Sequence, residues 1–281
     1  KIFNFSLQQG EFPSIWKSSW IVPIFKKGDK EDAANYRGIT SLSAGAKVFE
    51  KVIQTSLLTA SYHYISPQQH GFVPKRSTIT NLVDFTSQCL RNMDSRIQTD
   101  AVYMDLKAAF DSIDHNILLA KMNKLGLGRN LICWLESYLV NRSYAVSFSR
   151  CHSRSFIASS GVPQGSNLGP LLFVLFINDL SYVVPAANHL MYADDIKIYM
   201  TIKNDTDHSE LQQYLLDFHQ WCNRNRLSLC IEKCRVISFT RAREIKNTSY
   251  TVNGLPIERT NTMKDLGVIL DSKLSFDQQT E

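Results

Sequence analysis

Helical and strand periodicities alternate along these 281 residues and predict an α+β fold, helices mixed with mostly antiparallel strands. Three observations carry that reading. Residues 196–200 set Ile196, Ile198 and Met200 on one side and Lys197 and Tyr199 on the other, the period of a half-buried strand. Apolar residues recur at helical spacing elsewhere, as Val48, Val52, Ile53 and Leu57 in 46–58 and as Leu211, Leu215, Phe218 and Cys222 in 209–226. Between the apolar runs 190–193 and 196–200 stands Asp194-Asp195, which reads as the tip of a tight hairpin because aspartate tolerates turn geometry.

Taken in order, the chain opens with a mixed apolar segment and then a strand, WIVPIF (20–25), ending at the turn signal Lys26-Lys27-Gly28-Asp29. Residues 35–39, NYRGI, are a loop or the start of a returning strand. After the helix 46–58, Ser66-Pro67 interrupts the chain, and Thr78 is placed to cap a helix running to about Asp94. TDAVYMD (99–105) is an apolar strand with a carboxylate at its end. Asp114 can cap a helix over 116–125, and a second helix over 130–140 follows Gly126 and Gly128. Residues 144–148 and 153–158 alternate as a hairpin, and the loop GVPQGS (161–166) then leads into an apolar helix over 168–180. Short strands at 236–239, 250–252 and 263–270 complete the pattern, with no internal repeat and no low-complexity linker.

Hydrophobic residues make up 44% and charged residues 20% of the chain, which excludes a disordered class. The net charge of +5 is modest but gathered in patches. Arg224, Arg226, Lys233, Arg235, Arg241, Arg243 and Lys246 fall in one stretch, and Arg142, Arg150 and Arg154 in another with no acid between 137 and 160. Such stripes suit a polyanion. Six cysteines without a secretory signal point to a reducing, intracellular setting rather than a disulfide framework. The longest apolar run, 168–177, contains Gly169 and Pro170 and is too short to span a bilayer, so no membrane partner is expected. The chain begins inside an amphipathic pattern and stops without a closing element, and is expected to be a fragment of something longer.

Two adjacent carboxylates on a rigid hairpin repel each other and invite a cation. Hard divalent ions take oxygen ligands and keep positions open for substrate phosphates. Asp105, at the end of a strand far away in the chain, supplies a third carboxylate if the two strands share a sheet. Three carboxylates around two divalent ions can activate an attacking oxygen and stabilise a leaving oxygen in phosphoryl displacement. A nuclease and a polymerase both use that layout, so the carboxylates point to the reaction class and leave the substrate open.

The blocks AVYMDLKAAFDSIDH (101–115), GVPQGSNLGPLLFVLFINDL (161–180) and MYADDIKIY (191–199) resemble the A, B and C motifs of reverse transcriptases. Within that family they resemble the non-LTR (LINE-type) retrotransposon branch and its jockey-like elements. WIVPIFKKGDKEDAANYRGITSLSAGAKVFEKVI (20–53) and QHGFVPKRSTITNLVDF (69–85) are similar to the family's finger motifs, and KDLGVILDSKLSF (264–276) to its primer-grip region. The likeness runs nearly end to end, in the family's order.

The resemblance implies a right-hand polymerase with fingers (1–98), a palm (99–245, with a finger-side insertion at about 115–160) and a primer-grip region opening an incomplete thumb (246–281). The palm would be an antiparallel sheet flanked by helices. The implied activity is RNA-directed DNA polymerisation with two Mg2+ ions, Mn2+ being an alternative. The implied partners are an RNA template, a DNA primer and dNTPs. Asp105, Asp194 and Asp195 then correspond to the metal-binding triad. Phe110 corresponds to the aromatic that stacks under the sugar, where a bulky ring would clash with a ribose 2′-hydroxyl. Gln164 and Gly165 correspond to the loop beside the incoming nucleotide. Arg37 and Lys27 match basic finger residues that hold the triphosphate, and Lys26 would serve equally well. Lys233 matches the lysine suggested to protonate leaving pyrophosphate. Lys75 and Arg76 are candidates to track template phosphates, and Leu266 and Gly267 to contact the nucleic acid from the primer-grip region. Asp111 and Asp114 fall within the first block but match no triad position.

Two departures stand out. Gly38 replaces the proline usual after the finger arginine, which loosens a turn, and Asn167 stands where an aliphatic residue is common. His219, Cys222, Cys230 and Cys234 have ligand types and spacings that zinc can use, yet the family carries no metal at that stretch. The rival readings are a two-metal nuclease and a decayed copy that only binds RNA. The family's stages imply a cytoplasmic ribonucleoprotein and the nucleus as locations.

Overall fold

All seven residues of strand Gln98–Met104 are buried, which makes this strand the centre of a sheet rather than its rim. The computed structural model describes residues 1–281 except Ala186, Ala187, Glu244 and Glu281. The chain forms two compact units interleaved along the sequence, the first of residues 1–64 and 108–176 and the second of 65–107 and 177–281.

In the second unit the sheet runs Glu258–Arg259, Arg235–Phe239, Gln98–Met104, Asp195–Ile202, His189–Tyr192. Its ladders are antiparallel except the short one between Glu258–Arg259 and Arg235–Phe239. Helix Thr78–Asp94 lays Phe85, Cys89 and Met93 against Tyr103, Tyr199, Ile237 and Phe239 on one face. The half-buried reading of 196–200 therefore fails, because Lys197 and Tyr199 are buried along with Ile196 and Ile198. Ser77 rather than Thr78 caps the helix. Its hydroxyl accepts from Thr80 N at 3.3 Å while the Thr80 hydroxyl accepts from Ser77 N at 2.9 Å, a reciprocal box that leaves Thr78 as the first helical residue.

Helix Asp205–Arg224 packs on strand Asp195–Ile202 and starts before 209, because Asn204 and Asp207 form a capping box ahead of the apolar pattern. The expected strand 263–270 is instead a hairpin, Thr262–Asp265 with Val268–Asp271. Leu266 and Gly267 form its tip, both at positive φ, which matches the twist of the two arms. Likewise 250–252 resolves into Thr251–Val252 paired with Leu255–Pro256.

The first unit contains a sheet in which Ser18–Phe25 pairs antiparallel with Tyr36–Ser41 and parallel with Ser143–Phe148. Residues 35–39 thus lead into the returning strand. Gly38 lies in mid-strand opposite Pro23, not in a turn, so the loosened-turn reading does not apply. The second arm expected at 153–158 is split, with Cys151–His152 and Phe156–Ile157 pairing separately along Ser143–Phe148.

Helix Ala44–Ser61 buries Ala46, Phe49, Ile53 and Leu57 and leaves Val48 and Val52 exposed. The apolar spacing fitted two faces, and the ring of Phe49, stacked 4.3 Å from Phe3 and packed on Trp134, selects the inner one. As expected, Asp114 caps helix His115–Lys124, accepting from Ile117 N at 3.0 Å. Helices Arg129–Leu139 and Gly169–Ile177 follow, the latter shorter than 168–180 because the chain tightens into a 3-10 turn at Asn178–Tyr182. Among the described residues no helix is long and apolar enough to cross a membrane.

Candidate active site

Antiparallel register brings the acidic stretches to one end of the second unit's sheet. Met104 lies opposite Ile196, so Asp105, the next residue after Met104, and Asp195, the one before Ile196, leave the ladder at the same end. The backbone of Asp105 is held by Cys230 N, which donates to its carbonyl at 2.9 Å, and by the Leu106–Leu229 bridge beside it. Lys233, on the turn Ile231–Lys233, puts Nζ 3.5 Å from Asp105 Oδ2. The Asp105 carboxylate raises the Lys233 pKa above its usual value.

The hairpin departs from expectation in its tip. Tyr192 pairs with Asp195, so the two turn residues are Ala193 and Asp194, and Asp195 opens the returning strand. The residue in the left-handed region is Ala193, φ 55, not an aspartate. Asp195 is exposed to solvent. Partial desolvation, then the charges of Asp194, Asp265 and Asp105, push its carboxyl up to about 6.

Two groups nearby lie inside the motif blocks but are not among the site residues expected from the sequence. Asp265 is buried and accepts from Lys197 Nζ and from Tyr103 OH, the latter at 3.0 Å. Burial pulls the Lys197 pKa down, against the raising effect of Asp265. Residues 68–71 run beside the hairpin, with His70 N donating to Met191 O at 2.8 Å and Met191 N to Gln68 O at 2.9 Å. Only the family likeness of QHGF hinted at that segment. Arg76, expected on template phosphates, donates from NH1 to Ser66 O and Gln69 O, both at 2.6 Å, and so braces this loop, while Lys75 is exposed. Leu266 and Gly267 sit at their hairpin tip.

In the first unit, Gln164 donates from Nε2 to both carboxylate oxygens of Asp111, at 2.8 and 2.7 Å. Its carbonyl accepts from Thr40 N at 2.7 Å, tying the loop to the strand that carries Arg37. Gly165 follows at φ 102. Phe110, half-buried, stacks on Phe173 at 4.3 Å. Arg37 is exposed opposite Ile24, and Lys26 and Lys27 lie exposed in the turn after Phe25. Elsewhere, in the second unit, His219 Nε2 is 3.2 Å from Asn223 Nδ2, while Cys222 and Cys234 are buried. Among the described residues no three or more His, Cys, Asp or Glu side chains are set to hold a metal ion.

Residues 24–270 match the reverse transcriptase (RNA-dependent DNA polymerase) family. This chain belongs to that family. The reverse transcriptase chain is 32% identical to the RNA-directed DNA polymerase from mobile element jockey of Drosophila melanogaster, over 98% of its own length and 31% of that protein. It is 30% identical to the probable RNA-directed DNA polymerase from transposon X-element of the same species, over 98% of this chain and 31% of that protein. It thus spans about a third of the length of these curated relatives. In fold it is similar to apo telomerase from Candida tropicalis truncated from its C-terminal domain, with TM-score 0.64 and 12% identity over 94% of this chain and 55% of that one. The right-hand polymerase fold and the jockey-like, non-LTR resemblance read from the motif blocks both hold. Membership of the family implies dependence on a divalent metal in general terms.

Proposed function

We propose that this reverse transcriptase domain is the polymerase core of a non-LTR retrotransposon, extending a DNA primer on an RNA template. What supports it best is the meeting of Asp105, Asp194 and Asp195 at one end of one sheet, where neighbouring negative charge helps hold the Asp195 carboxyl at about 6. Carboxylate oxygens gathered at one sheet end are the ligand type that hard divalent cations take, although the three side chains are not set to hold an ion as they stand, and a bound cation would relieve their repulsion. Asp105, Asp194 and Asp195 would hold two such ions, Mg2+ or Mn2+, and these, when bound, supply activation of the primer 3′-hydroxyl and charge neutralisation at the phosphates of a dNTP.

The chain's own groups do the rest. Lys233, kept cationic beside Asp105, would give a proton to the leaving pyrophosphate. In the first unit, family correspondence assigns Phe110 to the sugar, Gln164 and Gly165 to the incoming nucleotide, and Arg37 with Lys27 or Lys26 to the triphosphate. The Asp111 carboxylate fixes the Gln164 amide nitrogen and leaves its carbonyl oxygen as an acceptor. In the second unit, Lys75, Leu266 and Gly267 are assigned to nucleic-acid contact. The hybrid would be read by backbone and shape, so affinity should fall with salt. The family's cytoplasmic ribonucleoprotein and nuclear stages are the proposed setting.

The test is incorporation of labelled dTTP on poly(rA)/oligo(dT) with Mg2+, beside the double variant Asp194→Asn, Asp195→Asn. Incorporation by the parent and a fall of more than about a hundredfold in the variant is the expected result. Shortening of the nucleic acid instead of extension would replace the reading with a nuclease. RNA retention on a filter without incorporation by the parent would leave a binding module.

A further inference from the structure

A two-residue hairpin turn with positive φ at its first position alone is the type II′ pattern, which glycine meets without strain and alanine does not. Ala193 occupies that position at φ 55. Its amide is also a turn N–H that the hairpin ladder does not use, so it needs an acceptor from elsewhere. The side chain of Gln69 provides it. Gln69 is 1% exposed, and its Oε1 accepts from Ala193 N at 3.0 Å and from Gly71 N at 2.7 Å. Gly71 comes so close that a Cβ there would stand 2.4 Å from Ala193 N and 2.9 Å from Tyr192 C, so only glycine admits the approach. Asn81, fully buried on helix Thr78–Asp94, donates to Met191 O at 3.1 Å. Arg76 fixes the brace from behind through Gln69 O and Ser66 O.

We propose that Gln69 is a positioning residue for the Asp194-Asp195 turn. Its amide oxygen holds Ala193 in the left-handed region and so sets how the two carboxylates stand to each other. The consequence for divalent ions rests on the polymerase reading, whereas the consequence for the turn does not. Loss of the acceptor would let the carboxylates drift, weakening cation binding and slowing turnover without touching nucleic-acid contacts.

The experiment compares the parent with Gln69→Met, which keeps the length of the side chain but removes the acceptor. Mn2+ alone is titrated by electron paramagnetic resonance, and amide hydrogen exchange is followed across residues 191–195. Mn2+ affinity should fall about tenfold, within the usual effect of removing a group that orients metal ligands. Exchange at the turn should accelerate while strand Gln98–Met104 stays protected. In the incorporation assay kcat should fall while KM for template–primer holds. Adding Ala193→Gly should restore Mn2+ affinity, because glycine takes the positive φ unaided.

Unchanged exchange at the turn in Gln69→Met overturns the proposal. So does an unfolded Gln69→Met that Ala193→Gly fails to rescue, since Gln69 would then serve the unit's folding in general. A parent that binds no Mn2+ and incorporates nothing counts against the polymerase reading, and the exchange arm still decides the role of Gln69.

Discussion

Strand Gln98–Met104 in the second unit keeps Gln98, Thr99 and Asp100 inside, whereas strand Ser18–Phe25 in the first leaves Trp20, Val22 and Ile24 roughly half exposed. The polar strand is buried and the apolar one is open. Burial is sustainable for the first because every polar group finds a partner. Asp100 accepts from Gln98 Nε2 at 2.7 Å, Ser238 Oγ at 2.6 Å and Tyr250 OH at 2.8 Å, and Thr99 Oγ1 accepts from Asn92 Nδ2 at 2.8 Å. On the open face of the second, the His152 ring lies 4.5 Å from that of Trp20. The strand that leads to Asp105 is thus a buried scaffold with its polar groups satisfied, while the other presents an apolar face of the kind used for contact. Polarity along a strand does not say which way it faces; the partners do.

Asp100→Ala puts that contrast under the greatest load. Removing the acceptor strands Tyr250, Ser238 and Gln98 in the interior, and the variant should lose about 3–5 kcal/mol in urea unfolding. A loss under about 1 kcal/mol would mean that water replaces the carboxylate and that the scaffold is not dry. Thr99→Val makes a polar residue apolar at a buried site and should still destabilise by about 1 kcal/mol, since Asn92 loses one of its two hydroxyl partners.

The first unit's own buried carboxylate behaves differently with pH. Burial raises the Glu50 pKa above its ordinary 4.5, although Asn167 N and Tyr138 OH donate to it. Below the ordinary value both folded and unfolded states hold the proton and Glu50 contributes no pH dependence. As pH rises from there the unfolded state ionises first, so stability is lost until the folded carboxyl has also ionised. Urea midpoints at pH 4 and pH 8 should therefore show the parent losing ground relative to Glu50→Gln, and a flat or reversed difference would contradict the assignment.

The smallest effect belongs to the open strand. Val22→Thr should change stability by less than about 0.5 kcal/mol, and a loss above about 2 kcal/mol would show that its face is covered after all.

Local chemistry was readable without coordinates. The carboxylate ending strand 99–105, the Asp114 cap and the run of helix Thr78–Asp94 depend on residues within a few positions of each other, and periodicity reports them directly. The three motif blocks likewise announced the family. What stayed hidden depended on neighbours far away in the chain. Val48 and Val52 were as apolar as the residues that went inside, until Phe49 met Phe3 and Trp134. Lys197 alternated like a solvent-facing residue, yet Asp265 pairs with it in the interior. The Asp-Asp dipeptide gave no hint that the left-handed turn residue is Ala193, or that Gln69, 124 positions away, supplies its acceptor. Propensity and period are properties of a few neighbouring residues, so they survive in a linear reading. Register, facing and the partners of buried polar groups follow only when the packing of the whole unit is settled, because their free energy is shared among residues that no local window contains.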